Sequence, residues 1–334
     1  MYMKAIVLEK FGEKPRLVDI EEPEEKDGWV KLRVVRSALC YRDLLTYKGA
    51  FPRAKLPLIL GHEFTGEVIR DYPEYGLSKG DRVLTLPYTF CGRCEYCLTG
   101  RENLCRSREW YGEHLPGSHT EYILVRPESL VKIDIDMDPN YASIASCVIG
   151  MIINGIENAG GIEEGDRVLV TGASGGVGIH ALQIAKAYGA ETIAVTRSEE
   201  KAKFIEEVGP DHIHIGGEFS REVKKLGGAD MVIETVGEPT FNQSLRSLKW
   251  GGRMVVIGNV NVKPIDLQLG LIILRQNSIY GTLSSTRKTL YKAIKLYKLG
   301  KVRAIGQEMN LSDFEKALEK MEAGESRGRI YLKP

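Results

Sequence analysis

Cys91, Cys94, Cys97 and Cys105, in the stretch FCGRCEYCLTGRENLC, are four of the chain's six cysteines. Thiolates are soft, strong ligands, and two successive C-x-x-C steps let neighbouring sulfurs converge on one ion with little chain strain. The spacing reads as a closed zinc site. A pair of disulfides would need an oxidising compartment that nothing else in the chain suggests, and an iron–sulfur cluster is the other four-thiolate alternative. A closed four-sulfur site builds a lobe and performs no chemistry, so reactive groups must be sought elsewhere.

The other two cysteines, Cys40 and Cys147, are far apart in sequence, and each taken alone reads as a small buried residue. The tripeptide GHE adds His62 and Glu63, a neutral nitrogen ligand beside a carboxylate. Cys40, His62 and Cys147 together would leave an open position on a second zinc, as catalysis requires. Such an ion polarises a carbonyl oxygen and stabilises the negative charge left there when a hydride arrives.

A hydride donor is suggested by VLVTGASGGVG, which ends a strand, turns on Gly172, Gly175, Gly176, Val177 and Gly178, and opens an amphipathic helix. Its backbone N–H groups and the helix dipole can face a pyrophosphate, although Ala173 takes the place of the first Gly of G-x-G-x-x-G. At the end of the next strand an Asp or Glu would hold the ribose of NAD. The chain reads AVTRSEEK there: Thr196, Arg197 and Ser198, with Lys201 a helical turn beyond, suit a 2′-phosphate. NADPH is expected over NADH; Glu199 and Glu200 keep open the plainer reading that Arg197 and Lys201 are surface cations.

These groups must be held by two kinds of scaffold. From Lys4 to about Tyr88 short β-like runs (AIVLEK, VKLRVVRSA, TGEVIR) are divided by Gly and Pro turns, predicting an antiparallel, barrel-like half. That pattern is interrupted by the cysteine lobe at 90–106 and resumes at TEYILVRP. From about Ala142 a helical stretch, ASIASCVIGMIINGIENAG, leads into alternating strands and helices, as expected of a parallel sheet covered on both faces. The tail adds a helix with N-cap Ser312 and a last strand.

A length of 334 residues with 43% hydrophobic residues suits a two-domain globular protein. Lys plus Arg number 46 against 45 Asp plus Glu, a formal charge of +1, so bulk charge makes no case for nucleic acid or an anionic membrane. No signal peptide is evident at MYMKAIVLEKFGEK, and no uncharged apolar run of membrane-spanning length is expected. The expectation is a cytoplasmic protein with a small-molecule substrate.

The order Cys40, GHE, four-cysteine lobe, Cys147 and GASGGVG resembles the zinc-containing medium-chain dehydrogenase/reductase family, to which alcohol dehydrogenases belong, over the whole chain. The resemblance implies an α/β protein: a GroES-like, β-barrel-type catalytic domain over 1–141, a Rossmann doubly wound domain over 142–283, and a return to the catalytic domain over 284–334. By position Cys40, His62 and Cys147 match the family's catalytic zinc ligands, Glu63 a carboxylate able to exchange onto the metal, and Asp43 a neighbour that supports a ligand. Homo-dimers or tetramers are also implied.

Two departures bear on the reaction. Where alcohol dehydrogenases of the family carry a Ser or Thr that relays the alcohol's proton, this chain has Arg42, and Leu45 stands where a histidine often ends the relay. A guanidinium cannot serve as a base at neutral pH. The stretches LCYRDLL, CVIGMI and LVTGASGGVGIHALQIAKA are more similar to an archaeal branch, the acryloyl-CoA reductases. That likeness implies hydride addition from NADPH to an α,β-unsaturated CoA thioester, with Arg42 beside the enolate or a CoA phosphate, or else in a structural ion pair. Zinc-free enoyl-thioester reductases often carry a Tyr donor in G-x-Y-P; here GAFP puts Phe51 there, leaving water, Tyr41 and Tyr47 as proton donors. An alcohol dehydrogenase or aldehyde reductase is the alternative, and a cofactor-binding protein without turnover the third reading.

Overall fold

The alternating stretch VKLRVVRSA forms the strand Val30–Leu39 in the computed structural model, which describes residues 1–334. It anchors a seven-stranded sheet, running in order Gly306–Asn310, Arg329–Lys333, Val30–Leu39, Phe64–Val68, Arg82–Thr85 and Leu130–Ile133, with Tyr122–Val125 also paired to Val30–Leu39. Its neighbours pair antiparallel except Gly306–Asn310 with Arg329–Lys333. A second sheet of three strands joins Arg16–Glu21, Tyr2–Leu8 and Leu58–Ile59. These belong to one compact unit comprising residues 1–147, 284–290 and 306–334.

Two apolar clusters fill this unit. One gathers Leu39, Leu44, Leu60, Phe314 and Leu332; the other gathers Leu32, Phe64, Val68, Tyr72 and Tyr111. Leu44 pins the short helix Tyr41–Tyr47 by its buried face, and so fixes where Cys40 and Asp43, at its start, can point.

The second unit comprises residues 148–283 and 291–305. Its strands Arg167–Val170, Glu191–Thr196, His212–Ile215, Ala229–Glu234, Leu248–Val256 and Ser278–Gly281 make one parallel sheet. Numbered along the chain, their spatial order is 3-2-1-4-5-6, the doubly wound Rossmann arrangement. Order reverses between Arg167–Val170 and Ala229–Glu234, and dinucleotides bind at the carboxyl ends of strands at such a point. The apolar runs RVLV, TIAVT and MVIE are buried because helices cover both faces.

One local expectation is refined and two are corrected. The run ASIASCVIGMIINGIENAG is not uniformly α-helical: Pro139–Ile144 and Met151–Asn158 are joined by a π-helical turn, Ala145–Gly150. Hydrophobic periodicity sees the face of a helix but not one extra residue in a turn. The stretch Pro139–Asn158 also reaches membrane-spanning length and apolarity, contrary to the expectation that none would, and 83% of its most apolar window is buried inside the protein. Finally, Ser312 does not cap the last helix; Leu311–Asp313 form a 3₁₀ turn and the helix runs Phe314–Glu322 from Asp313. A tightened first turn is a common helix start, and it moved the boundary by a residue.

Candidate active site

One ligand atom each from Cys40, His62, Glu63 and Cys147 lie within 4.8 Å of one another. Cys40 sits immediately before the helix Tyr41–Tyr47, and its N–H donates to Asp43 Oδ2 at 2.8 Å. Cys147 lies in the π-helical turn, where widening re-aims a side chain. His62 and Glu63 follow Gly61, whose φ of +99° is open to glycine. A Cβ there would stand 2.6 Å from His119 Nδ1 and 2.7 Å from Ser118 Oγ.

The Asp43 carboxylate lies 3.5 Å from His62 Nδ1, so a proton on Nδ1 leaves the Nε2 lone pair for another partner. Nε2 is buried and has no hydrogen-bond partner within the protein. Glu63 is held on both oxygens by Arg329, with Nε at 2.9 Å from Oε2 and Nη2 on Oε1. Both residues are buried, and Oε1 of Glu63 is still 3.8 Å from His62 Nε2.

The electrostatics agree with a cation site. A hydrogen bond from Cys147, against the effect of burial, together with the Arg329 charge holds the Cys40 thiol well below its usual range. The same hydrogen bond and burial push Cys147 well above it. Burial opposes charge on His62, but the Cys40 thiolate and Asp43 outweigh it and push the imidazole up to about 10. Burial pushes the Glu63 carboxyl up to about 8 in spite of Arg329. Cys40 gives up its proton readily while His62, Glu63 and Cys147 hold theirs, and a divalent ion competes with those protons for the same lone pairs. Two thiolates and an imidazole, with one buried nitrogen unpartnered, fit zinc.

The four lobe cysteines also converge. Cys91 and Cys97 sulfurs are 3.9 Å apart, Cys94 and Cys97 3.5 Å, and Cys91 and Cys105 3.6 Å. A tetrahedral ion about 2.3 Å from each sulfur would separate them by roughly 3.8 Å. Disulfide sulfurs would sit about 2 Å apart, and all six cysteines are free.

Arg42 is engaged by the protein itself. Its Nη2 pairs with Glu113 Oε2, and its guanidinium carbon lies 4.1 Å from the Phe51 ring centre and 5.2 Å from that of Trp110. Tyr41 and Tyr47 pack against the cluster around Leu44. Sequence reasoning did not single out Glu113, His119 or Arg329, because each meets its partner from a distant segment with no local spacing to mark it; Arg329 and Glu63 are 266 residues apart.

In the second unit Gly172 has a φ of +55°, and a Cβ on Gly178 would lie 2.3 Å from the Gly172 oxygen. Gly175, Gly176 and Val177 complete the turn into the helix Gly178–Ala187. Nearby, the fully buried Glu234 carboxylate accepts from Thr171 Oγ1, Thr240 Oγ1, Ser244 Oγ and the backbone of Val236 and Gly237, tying the strand ends at the reversal point together. Thr196 ends its strand with a buried, unpartnered hydroxyl. Ser198 caps the helix Glu199–Ile205 by accepting the Lys201 N–H, and Arg197 is exposed.

Residues 26–135 match the alcohol dehydrogenase GroES-like domain, and residues 176–298 match the zinc-binding dehydrogenase family. The acryloyl-coenzyme A reductase of Sulfurisphaera tokodaii is 44% identical over 99% of this chain and 100% of its own length. An alcohol dehydrogenase of Geobacillus stearothermophilus is 34% identical, with 99% of each chain covered. Among solved structures, that of AibC aligns with a TM-score of 0.90 and 36% identity over 100% of this chain and 96% of AibC.

Proposed function

The chain belongs to the zinc-containing medium-chain dehydrogenase/reductase family, and from that membership we propose that it is a zinc-dependent, NADPH-linked reductase of an α,β-unsaturated CoA thioester such as acryloyl-CoA. Zinc and a nicotinamide dinucleotide are its cofactors. The observation that carries the reading is the buried convergence of Cys40, His62 and Cys147 around an unpartnered His62 Nε2. Zinc bound by these three side chains supplies a Lewis acid for a carbonyl oxygen. Glu63, held by Arg329, stands beside them as a fourth donor. Asp43 orients His62 from behind. Cys91, Cys94, Cys97 and Cys105 take the structural zinc.

The dinucleotide is assigned to the glycine turn at Gly172, Gly175, Gly176, Val177 and Gly178, with its pyrophosphate at the start of the helix. The 2′-phosphate falls to Thr196, Arg197, Ser198 and Lys201, where no carboxylate ends the strand to favour an unphosphorylated ribose. Reduction of a double bond is favoured over alcohol chemistry by two side chains. Arg42 is committed to Glu113 and two aromatic rings, and Leu45 is apolar, so neither carries an alcohol's proton. The greater likeness to an acryloyl-CoA reductase than to an alcohol dehydrogenase, 44% against 34%, supports the same choice. Free thiols in both cysteine groups suit a reducing compartment such as the cytoplasm.

Alcohol or aldehyde chemistry remains the second reading because the ligand set is complete. The deciding experiment compares kcat/KM for NADPH oxidation with acryloyl-CoA and with saturated aldehydes. A preference for the thioester is expected; a preference for aldehydes would transfer the chain to the alcohol dehydrogenases.

A further inference from the structure

His119 is completely buried, yet it carries two ring nitrogens that must be satisfied. Its Nδ1 lies 2.9 Å from Ser37 Oγ and its Nε2 lies 3.4 Å from Asp43 Oδ2. Ser37 Oγ is in turn 2.8 Å from Ser118 Oγ. An ionised carboxylate only accepts, so Nε2 donates to Asp43, and in the neutral ring Nδ1 is left as an acceptor beside the Ser37 hydroxyl. Ser37 Oγ also lies 3.3 Å from the Glu63 backbone oxygen. The network thus joins Ser118, Ser37 and His119 to Asp43, whose other oxygen lies 3.5 Å from His62 Nδ1.

The same histidine holds the ligand loop by its backbone. The His119 N–H donates to the Leu60 oxygen at 2.8 Å, and the Ser118 N–H to the Gly61 oxygen at 3.0 Å. Gly61 is so close to the His119 ring that only a residue without a Cβ fits. The ring itself rests on Phe314 at 5.4 Å between centres.

We propose that His119 is a positioning residue of the inner metal centre: by donating to Asp43 it fixes the carboxylate that sets the ring orientation and tautomer of His62, leaving Nε2 to bind zinc. This rests on the reading of Cys40, His62 and Cys147 as zinc ligands. Partners of metal-ligating histidines typically contribute 10- to 100-fold in metal affinity.

The test begins with zinc content and chelator competition on the full chain. Loss of one of two ions in Cys147→Ala and in His62→Ala supports the ligand reading; retention of both ions overturns that reading and the proposal with it. His119→Phe keeps the ring on Phe314 and removes both hydrogen bonds. We expect zinc at the inner site to weaken by about tenfold or more, with the lobe ion retained and the visible bands of the cobalt-substituted protein shifted. His119→Gln, which restores an amide donor towards Asp43, should recover most of the affinity. Should His119→Phe fail to fold, His119→Leu, a smaller apolar side chain that also removes both hydrogen bonds, is read instead and should weaken the same ion by about tenfold. Unchanged zinc affinity and unchanged cobalt bands in the variant read would overturn the proposal and leave His119 a core side chain.

Discussion

Removing the charge of Glu113 leaves the Arg42 guanidinium against Phe51 and Trp110 with no counter-charge. Glu113→Gln should therefore cost about 1–3 kcal/mol of stability, read as a lower urea midpoint at unchanged m-value. No change would mean that solvent already screens the pair. Arg197 sits differently: it is exposed, so its replacement should leave stability alone and act on the cofactor. If Arg197 holds the 2′-phosphate as proposed, Arg197→Asp removes a charge-assisted contact worth about 1.5–3 kcal/mol, which corresponds to NADPH affinity falling roughly 10- to 100-fold with NADH much less affected. An unaltered ratio of the two dissociation constants would show that the 2′-phosphate is read by other residues. Local spacing marked in the sequence the groups assigned to the two metal sites and the dinucleotide, namely the lobe cysteines, GHE and the glycine turn. It was silent on His119, Arg329 and Glu113, because a buried hydrogen bond between distant segments leaves no periodicity behind.

At the level of elements, the glycine turn is a packing problem before it is a binding site. A Cβ at Gly178 would collide with backbone, 2.3 Å from the Gly172 oxygen and 2.7 Å from the Ala173 Cα, and backbone cannot rotate aside as a long side chain can. The turn must open to admit it, which misplaces the N–H groups assigned to the pyrophosphate. Gly178→Ala should weaken NADPH binding by at least roughly tenfold, in line with the loss of one or two charge-assisted hydrogen bonds, while both zinc ions stay bound. Nicotinamide fluorescence and metal analysis on the same sample check it, and wild-type affinity would refute the close-packing account. Strand and helix alternation in the Rossmann unit was legible because burial on both faces writes continuous apolar runs. The π-helical turn that carries Cys147 was not, since the flanking residues keep a helical pattern and the extra residue changes only the angle.

For the whole molecule, a formal charge of +1 offers no field to draw in a polyanion and none to hold two copies apart. The helix Leu269–Arg275 exposes Leu269, Ile273 and Leu274 to 62%, 70% and 73%, and the strand that follows, Ser278–Gly281, is the edge of the six-stranded sheet. Exposed apolar side chains beside an unpaired strand edge are what a monomer avoids, since the edge presents free N–H and C=O groups to any second chain. A two-fold dimer, which the family resemblance implies, would satisfy both at once by pairing edge to edge and covering the leucines and isoleucine. The double variant Ile273→Asp, Leu274→Asp puts two carboxylates per copy into that contact. Its expected result is a halved mass in sedimentation equilibrium with zinc content unchanged, because the metal ligands belong to the other unit. An oligomer of unaltered mass would mean that copies meet elsewhere and that this apolar stripe serves another purpose.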